Sequence, residues 1–265
     1  MRVTERIYRP DGIPLILAHR GGANEHPENS AQAFEAARAA GFRHIETDAH
    51  VTRDDVAVLC HDPELDRTAG GSGEISAYTW NELSHLRDAA GGRMMRVDEV
   101  LDAFPEMIFN IDAKTDAVAD PLISAIRRTG AEARVCLASF NERRLKRIRR
   151  ALPQVATSLG VGQIARYVAV AHLPAALRRQ FVRFLTGPQQ GVQAAQVPLH
   201  YRGMAVLTPA LVKTAHYRGV AVHAWTINDI DTAAQLLSYG VDGIITDEPS
   251  AMRDQLTARG ITVEL

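Results

Sequence analysis

Eight short apolar runs recur along the chain, and helix-like segments separate most of them. The runs are Leu15–Ala18, His44–Val51, Ile108–Ala113, Val135–Ser139, Ala156–Val161, Gln193–Pro198, Val220–Thr226 and Gly243–Thr246. The helix-like segments, most of which end at a glycine turn signal, are Ser30–Ala40, Ala117–Arg128, Asn141–Leu152, Pro209–Arg218 and Asp229–Tyr239. Strands that alternate with helices pair in parallel, and eight such repeats in about 250 residues match the usual size of a closed barrel. The pattern therefore predicts an α/β fold, a single (β/α)8 TIM barrel.

Two stretches interrupt this alternation. Residues 62–100 are too long for a plain connection and contain the glycine-rich piece 69–73, so we expect a small insertion there, after the second strand and over one end of the barrel. Residues 162–192 carry an Arg-rich amphipathic pattern, whose simplest interpretation is a barrel helix with a solvated basic face. A lid, or a helix that touches a membrane, is the alternative for that segment. Its apolar positions are Leu177, Phe181, Phe184 and Leu185.

The bulk composition argues against several classes of protein. The 265 residues show no linker or low-complexity segment, so we expect one domain over residues 1–265. A net charge of −1 argues against a nucleic-acid partner and means that local charge must hold any anionic substrate. No stretch approaches the roughly 20 apolar residues of a membrane span, and the start lacks signal-peptide features, so we predict a cytoplasmic protein. Cys60 and Cys136 lie in apolar runs and are expected to be buried, reduced thiols.

Polar and charged residues stand where predicted barrel strands end, which is where such barrels carry out catalysis. The first strand ends in His19 and Arg20, and two glycines follow that allow the backbone to approach a ligand closely. An arginine fork suits a phosphate group, whereas a lone histidine at a strand end is more often structural. Another apolar run, 56–60, leads into His61 and Asp62 and gives a second candidate acid–base group.

Acidic side chains occupy alternate positions on two of the predicted strands. Glu46 and Asp48 both point to the barrel interior, where two carboxylates repel each other unless a cation lies between them. A divalent metal with oxygen ligands is the natural partner, and a pair of solvated charges is the plainer interpretation. On the next strand, Asn110, Asp112 and Lys114 share one face, where Asp112 can be a third metal ligand and Lys114 a balancing charge.

Three further side chains have both a functional and a structural interpretation. Trp225, near the end of the seventh strand, either stacks on a polyol or headgroup or fills the core. Asp247, at the end of the eighth strand, most simply caps the next helix. Arg67 is either a second phosphate contact or an ordinary surface arginine. Taken together, two histidines, three carboxylates, an arginine and a lysine in one cavity predict metal-assisted hydrolysis of a phosphate ester.

Seven motifs, spread in order over residues 15 to about 250, resemble the glycerophosphodiester phosphodiesterase family. They are HRGG at 19–22, HPENS at 26–30, IETDAHVTRDD at 45–55, CHDPELDRTAGGSG at 60–73, NIDAK at 110–114, HAWTIN at 223–228 and GIITDEP at 243–249. The resemblance implies a (β/α)8 barrel with a small insertion after the second strand. It also implies cleavage of a glycerophosphodiester into sn-glycerol 3-phosphate and an alcohol, with the help of a divalent cation, Mg²⁺ or Ca²⁺.

The resemblance also implies roles for individual positions of this chain. The general acid–base pair is His19 and His61. The ligands of the cation are Glu46, Asp48 and Asp112. The contact to phosphate is Arg20, and the supporting cation is Lys114. To these we add Trp225 as a substrate contact. The residues expected to support the site from behind are Glu28 and Asn29.

The sequence departs from the family pattern at two positions. The family usually has Glu where this chain has Asp112, which is one methylene shorter. We therefore expect the metal to shift, to bind through a water, or to be a different ion. Ser30 stands where Thr is common, and it keeps the hydroxyl that caps a helix.

Three competing functions remain at this point. A lysophospholipase D-type enzyme would use the same site on a lipid and would need an apolar groove. A catalytically inactive barrel would bind metabolites, which the intact histidines and carboxylates argue against. A scaffold protein would use the basic helix 143–150, which is more simply a solvated helix face. The headgroup, the native metal, the oligomeric state, the assignment of acid and base, and direct attack by water or through a cyclic phosphate all stay open.

Overall fold

The computed structural model describes Tyr8 and residues 12–265. Its strands are β1 Leu15–His19, β2 His44–Val51, β3 Ala57–Leu59, β4 Met95–Arg96, β5 Ile108–Ala113, β6 Val135–Ala138, β7 Ala156–Ser158, β8 Val192–Val197, β9 His200–Tyr201, β10 Met204–Ala205, β11 Ala221–Ala224 and β12 Gly243–Thr246. Its α-helices are α1 Ala31–Ala39, α2 Trp80–Ser84, α3 Val97–Ala103, α4 Ala119–Thr129, α5 Glu142–Ala151, α6 Val161–Ala171, α7 Ala175–Phe181, α8 Pro209–Tyr217, α9 Ile230–Ser238 and α10 Pro249–Ala258. Short 3₁₀ turns cover Ile75–Ala77, Glu132–Arg134, Val182–Phe184 and Pro188–Gln190.

Eight of the strands close into a parallel barrel with helices between them. The ring runs β1, β12, β11, β8, β7, β6, β5 and β2, and β2 pairs again with β1 to close it. Each of the eight apolar runs coincides with one ring strand, so the predicted barrel is confirmed. The five predicted helical segments are also present, as α1, α4, α5, α8 and α9.

Local signals in the sequence account for where the helices begin and end. The Ser30 hydroxyl accepts a hydrogen bond from the amide of Ala33, which satisfies one free amide at the start of α1. Gly130 ends α4 in the left-handed conformation, with φ of 61°, which is cheap only for glycine.

Strand side chains alternate between two apolar layers. Outward residues such as Ile45, Phe109 and Ile111 pack under the helices in the main core. Inward residues at the amino-terminal end of the barrel are small, among them Ala156, and the fully buried Tyr8 packs among them. The remaining members of that inner cluster are Cys136, Ala194 and Ala221. The barrel is therefore filled at this end, and its polar inward residues lie at the other.

The insertion after β2 extends the barrel sheet at its carboxyl end. β3 pairs antiparallel with the last residues of β2, and β4 pairs with β3. Leu65, Ile75 and Leu83 form a separate small core with Val58. The predicted bounds of 62–100 were wrong at both ends, because β3 already belongs to the insertion and α3 is a barrel helix that packs on α4. The apolar run 56–60 contains β3, but a three-residue strand gives no signal that it pairs antiparallel with β2 rather than joining the ring.

Residues 172–191 lie at the amino-terminal end of the barrel. Helix α6 begins just after the carboxyl end of β7 and returns, so the segment that follows it precedes β8. The Arg218 guanidinium, shortly before β11 begins, donates to the carbonyl of Leu185 at 2.6 Å, and the amide of Val192 donates to the carbonyl of Gly187. The lid alternative for this segment was wrong, because the predicted site residues lie at the carboxyl ends of the strands, at the opposite end of the barrel.

Candidate active site

The predicted site residues line up across the first strands of the barrel. His19 is in register with Glu46, and Glu46 is in register with Asn110. One layer further toward the carboxyl ends, Asp48 is in register with Asp112. All five occupy inward positions, because the alternate residues of the same strands pack in the outer core. The strand register therefore gathers one histidine, three carboxylates and an amide in one cavity.

The carboxyl of Glu46 is the most perturbed acid of this cavity. It is buried, and its Oε2 atom accepts no hydrogen bond in the described part of the chain. Burial and the nearby charge of Asp48 raise the pKa of the Glu46 carboxyl to about 8. Two adjacent buried acids are expensive to hold, which is typical of a site selected for chemistry rather than for stability.

Lys114 offsets the charge of the two other carboxylates. Its ammonium Nζ lies 2.7 Å from Asp48 Oδ1 and 3.0 Å from Asp112 Oδ2. Burial lowers the pKa of Lys114, but the charges of Asp112 and Asp48 outweigh that effect and raise it overall. The lysine is therefore a fixed positive charge in the cavity.

His19 is held by Asp247 at the end of β12. The ring Nδ1 donates to Asp247 Oδ1 at 2.6 Å, and Asn228 donates to Asp247 Oδ2 at 2.8 Å. The other ring nitrogen, Nε2, lies 3.5 Å from Glu46 Oε2. Burial lowers the pKa of His19, but the hydrogen bond to Asp247 and the charge of Glu46 outweigh it, so the pKa is raised.

The interpretation of Asp247 as a helix cap was wrong. Helix α10 begins at Pro249, and its N-cap residue, Glu248, makes no side-chain capping bond. Asp247 instead fixes the tautomer and the direction of the His19 ring. The signal in the sequence was its position directly after the eighth strand, in phase with the inward Ile245, since β12 and β1 are neighbours in a closed barrel.

His61 has the same arrangement on the insertion. Its Nδ1 donates to Asp62 Oδ1 at 2.7 Å, and the amide of the preceding Cys60 donates to the carbonyl of Asp48 at 3.1 Å. The backbone contact attaches this turn to the rim beside the buried acids. His61 is half-exposed, whereas His19 is mostly buried, so the two rings meet solvent differently.

A chain of ion pairs joins the two histidine-bearing turns. Arg67 donates to both Asp62 and Glu28, at 2.5 Å to Asp62 Oδ2 and at 2.7 and 2.8 Å to the Glu28 oxygens. Glu28 also accepts from Arg20 at 3.2 Å. Burial raises the pKa of Glu28, but the bonds from Arg67 and the charge of Arg20 lower it overall. Arg67 is a half-exposed arginine that joins Asp62 to the loop after β1, and its contact to phosphate stays a prediction.

The loop after β1 adopts the left-handed conformation at several residues. Arg20 has φ of 52° and Gly21 has φ of 86°, and a Cβ on Gly21 would lie 2.8 Å from the Cβ of Ala33. Glycine is needed there because the turn packs directly on α1. Asn29 is buried, and its Oδ1 accepts from the Thr47 hydroxyl at 2.6 Å. Glu28 and Asn29 thus lie within this loop, where Glu28 contacts Arg20 and Asn29 contacts Thr47.

Trp225 lies at the mouth rather than deep in the core. It follows β11, it is partly exposed, and its ring meets that of Phe140 edge to face with centroids 6.1 Å apart. It also packs on the inward residues Leu15, Leu17 and Ile245. The ring therefore packs partly on the core, and its stacking on a substrate stays a prediction.

The sequence profile of the glycerophosphoryl diester phosphodiesterase family matches residues 19–251. A probable glycerophosphodiester phosphodiesterase 2 of Mycobacterium tuberculosis is 38% identical over 251 residues, which cover 94% of this chain and 93% of that protein. The chain belongs to the glycerophosphoryl diester phosphodiesterase family. The recognition made from the seven motifs is confirmed.

Solved structures with the same fold span nearly the whole chain. A putative glycerophosphoryl diester phosphodiesterase from Silicibacter pomeroyi superposes with a TM-score of 0.79 at 22% identity, over 98% of this chain and 99% of that one. A phosphodiesterase from Oleispira antarctica, in complex with the product sn-glycerol-3-phosphate, superposes with a TM-score of 0.73 at 21% identity, over 92% and 97%. These likenesses confirm the barrel with additional strands outside its ring.

The donor atoms of the predicted cation site fit a hard divalent cation by type. Glu46 Oε2, Asp48 Oδ2 and Asp112 Oδ1 are buried and accept no hydrogen bond among the described residues. Unsatisfied buried carboxylate oxygens are the ligands that Mg²⁺ and Ca²⁺ prefer. As the side chains lie, no three His, Cys, Asp or Glu residues in the described chain converge closely enough to hold a metal. The three side chains would have to turn toward a common centre.

The remaining expectations concern the cysteines, a membrane span, the location in the cell and a nucleic-acid partner. Cys60 and Cys136 are buried free thiols, as predicted. Among the described residues, no helix has the length and apolar character that crossing a membrane requires. The cytoplasmic location and the absence of a nucleic-acid partner stay predictions.

Proposed function

We propose that this chain hydrolyses glycerophosphodiesters to sn-glycerol 3-phosphate and an alcohol, with His19 and His61 as the general acid–base pair. The observation that carries the proposal is that each histidine donates its Nδ1 proton to an aspartate, at 2.6 and 2.7 Å. This arrangement leaves Nε2 of each ring to take or give a proton. The product bound to the Oleispira antarctica relative supports sn-glycerol 3-phosphate as the product here.

The proton balance of the reaction needs two groups of this kind. One histidine takes a proton from the attacking oxygen as the new P–O bond forms. The other gives a proton to the alkoxide that leaves as the old P–O bond breaks. The same balance holds for attack by water or by the glycerol 2-hydroxyl, followed by water.

Arg20 and Lys114 are proposed to hold the phosphate. The Nε atom of Arg20 is buried with no hydrogen-bond partner in the described structure and lies 3.4 Å from Asp48 Oδ2. An unsatisfied guanidinium donor at the site can bind a phosphoryl oxygen. Fixed cations at this point would stabilise the negative charge that builds up on phosphorus-bound oxygens during attack.

We also propose that Glu46, Asp48 and Asp112 hold a divalent cation, Mg²⁺ or Ca²⁺. Their orphaned, buried oxygens support this assignment, and Lys114 would then balance the remaining charge. A bound cation would act as a Lewis acid toward the phosphoryl oxygens. Since Asp112 is shorter than the usual Glu, the choice of ion is a property of this chain to be measured.

Removing divalent cations is expected to lower the turnover of glycerophosphodiesters at least about a hundredfold, because the buried carboxylates would lose the cation that they hold. The measurement is release of glycerol 3-phosphate and free alcohol from glycerophosphocholine, glycerophosphoethanolamine and glycerophosphoglycerol. Each diester is assayed with EDTA and then with Mg²⁺ or Ca²⁺ added back.

Restoration by one ion names the native class of metal, and the preferred diester names the headgroup. Full activity in EDTA after exhaustive dialysis would remove the metal from the proposal but leave the histidines in place. No turnover of any diester with either ion would contradict the proposed reaction itself.

The mouth of the barrel favours a second substrate, a lysophospholipid. Phe140 is 58% exposed, and Met204, on the hairpin after β8, is 66% exposed. Tyr201 on the same hairpin and Trp225 complete an apolar rim at the carboxyl ends of β6, β8 and β11. Such a rim suits an acyl chain. Including lysophosphatidylcholine in the same assay distinguishes the two substrates.

Substituting Arg67 by Gln is expected to lower kcat/KM roughly tenfold, because Asp62 would lose the guanidinium that positions it against His61. The matched control is Arg53→Gln, which removes another exposed arginine of the insertion, paired there with Glu82. Equal activity of the two variants would show that the ion-pair chain has no role in turnover.

A further inference from the structure

We propose that the amino-terminal end of the barrel carries a docking surface for an anionic lipid membrane. The surface is formed by α7 and the 3₁₀ turn after it. We call it the basic aromatic face and define it by Leu177, Arg179, Phe181, Arg183 and Phe184. It lies at the opposite end of the barrel from the proposed active site, so it does not depend on the proposed reaction.

The apolar side chains of this face are exposed to an unusual degree. Phe184 is 72% exposed, Phe181 is 47% exposed, and Leu177 is 42% exposed. Helix α7 buries none of its seven residues. The segment is nevertheless anchored, because Val182 and Leu185 are buried in the main core. An anchored segment that turns three large apolar side chains to solvent is typical of a surface that binds something.

The charge of the segment that contains this face indicates a negatively charged partner. Residues 143–228 contain 13 of the 30 Lys and Arg residues of the chain and none of its 31 Asp and Glu residues. The net charge of −1 is therefore the sum of a strongly basic segment, 143–228, and an acidic remainder of the chain. A large basic region with exposed apolar side chains is complementary to a surface that is negatively charged and apolar beneath.

The arginines of the basic aromatic face are available to a partner. Several other arginines of the basic region are already paired, as Arg144 is with Asp116 and Arg147 is with Asp120. Arg179 and Arg183 are exposed and form no ion pair with any residue that the structure describes. The Arg183 guanidinium lies 4.8 Å from the ring centre of Phe184. The Arg183 guanidinium and the Phe184 ring therefore lie side by side on the exposed surface.

The mixture of side chains favours lipid over nucleic acid. A membrane interface accepts aromatic and aliphatic side chains into the acyl boundary while arginines meet the lipid phosphates. A single-stranded nucleic acid would also stack on the two phenylalanines, but it would leave Leu177 exposed. The neighbouring positions 175 and 176 are also exposed and are alanines, which add apolar area rather than polar donors.

Docking through this face leaves the active site open to water. The histidines and carboxylates lie at the carboxyl ends of the strands, and the face lies where β8 begins. The mouth therefore points away from the bound membrane. Hydrolysis of soluble diesters should proceed at the same rate on and off the vesicle.

Binding is tested by co-sedimentation of the full chain with vesicles of phosphatidylcholine alone or phosphatidylcholine mixed with phosphatidylglycerol. The expected result is binding only to the mixed vesicles, weakened by salt. Two variants, Phe181→Ser with Phe184→Ser and Arg179→Gln with Arg183→Gln, should each lower partitioning roughly tenfold or more. Both change exposed side chains, so melting temperature and turnover of a soluble diester should match the parent.

The matched control is Lys146→Gln with Arg150→Gln, which removes the same charge from exposed positions of the basic region on α5. It should retain binding to within about twofold. An equal loss in the control would assign binding to diffuse charge and overturn the proposed face. Absence of binding to mixed vesicles at low salt, or binding of an oligonucleotide in its place, would also overturn it.

Discussion

Substituting either His19 or His61 by alanine is expected to lower kcat by about 10²–10⁴, because each removes one of the two groups that move protons in the proposed reaction. The fold should survive both changes. His61 is half-exposed, and His19 contributes mainly a polar contact with Asp247. The measurement is kcat on the preferred diester, with the melting temperature determined for each variant.

His172→Ala is a suitable control for this pair. It removes an exposed histidine at the opposite end of the barrel, so activity should stay at the level of the parent. The His19→Ala,His61→Ala double variant should be little worse than either single one, since groups that act as a unit are not additive. Near-normal turnover in both single variants would end the acid–base assignment.

Substituting Glu46 by Gln is expected to lower turnover at least about a hundredfold and yet to stabilise the cation-free protein. The loss follows from removing a proposed cation ligand. The gain follows from burial, because Glu46 lies beside Asp48 in the barrel and its pKa is raised to about 8. At neutral pH the folded, cation-free protein must keep this carboxyl protonated although the unfolded chain would ionise it, and a neutral amide of the same size removes that cost. Each kcal/mol gained should raise the melting temperature by about 2–4 °C.

The two effects are measured together, as melting temperature in EDTA and turnover with added cation. Glu35→Gln on α1 is the control, since Glu35 is exposed and its change should stay within about 0.5 kcal/mol. A lower melting temperature for Glu46→Gln in EDTA would mean that the carboxylate holds the fold together. The site would then be structural rather than built for a cation.

The barrel and the inward direction of its acids were predictable from the sequence. Alternation fixes which side chains point inward, so Glu46, Asp48, Asp112 and Lys114 were assigned to one cavity before any register was known. Alternation does not show which side chains of neighbouring strands come into contact. The contact between Asp247 and His19 depends on β12 lying beside β1, and a helix cap was the simpler local interpretation.

The insertion shows a second limit of sequence reasoning. Its short strands carry little periodic signal, so its bounds were misjudged. The pairing of Arg67 with Glu28 and Asp62 joins residues far apart in the chain, and neither charge pattern nor spacing indicates it. Local patterns therefore predicted which residues take part, and tertiary packing decided how they are connected.

Among the described residues, Tyr8 fills the interior of the barrel at its amino-terminal end. The ring of Tyr8 is buried against small inward residues, and its carbonyl accepts a hydrogen bond from His223 at 2.9 Å. In the proposed reaction, both fragments of the diester would therefore leave by the mouth through which the substrate enters. A phosphate-bearing product bound by Arg20 and Lys114, as proposed, would then compete with the next substrate for the same cavity.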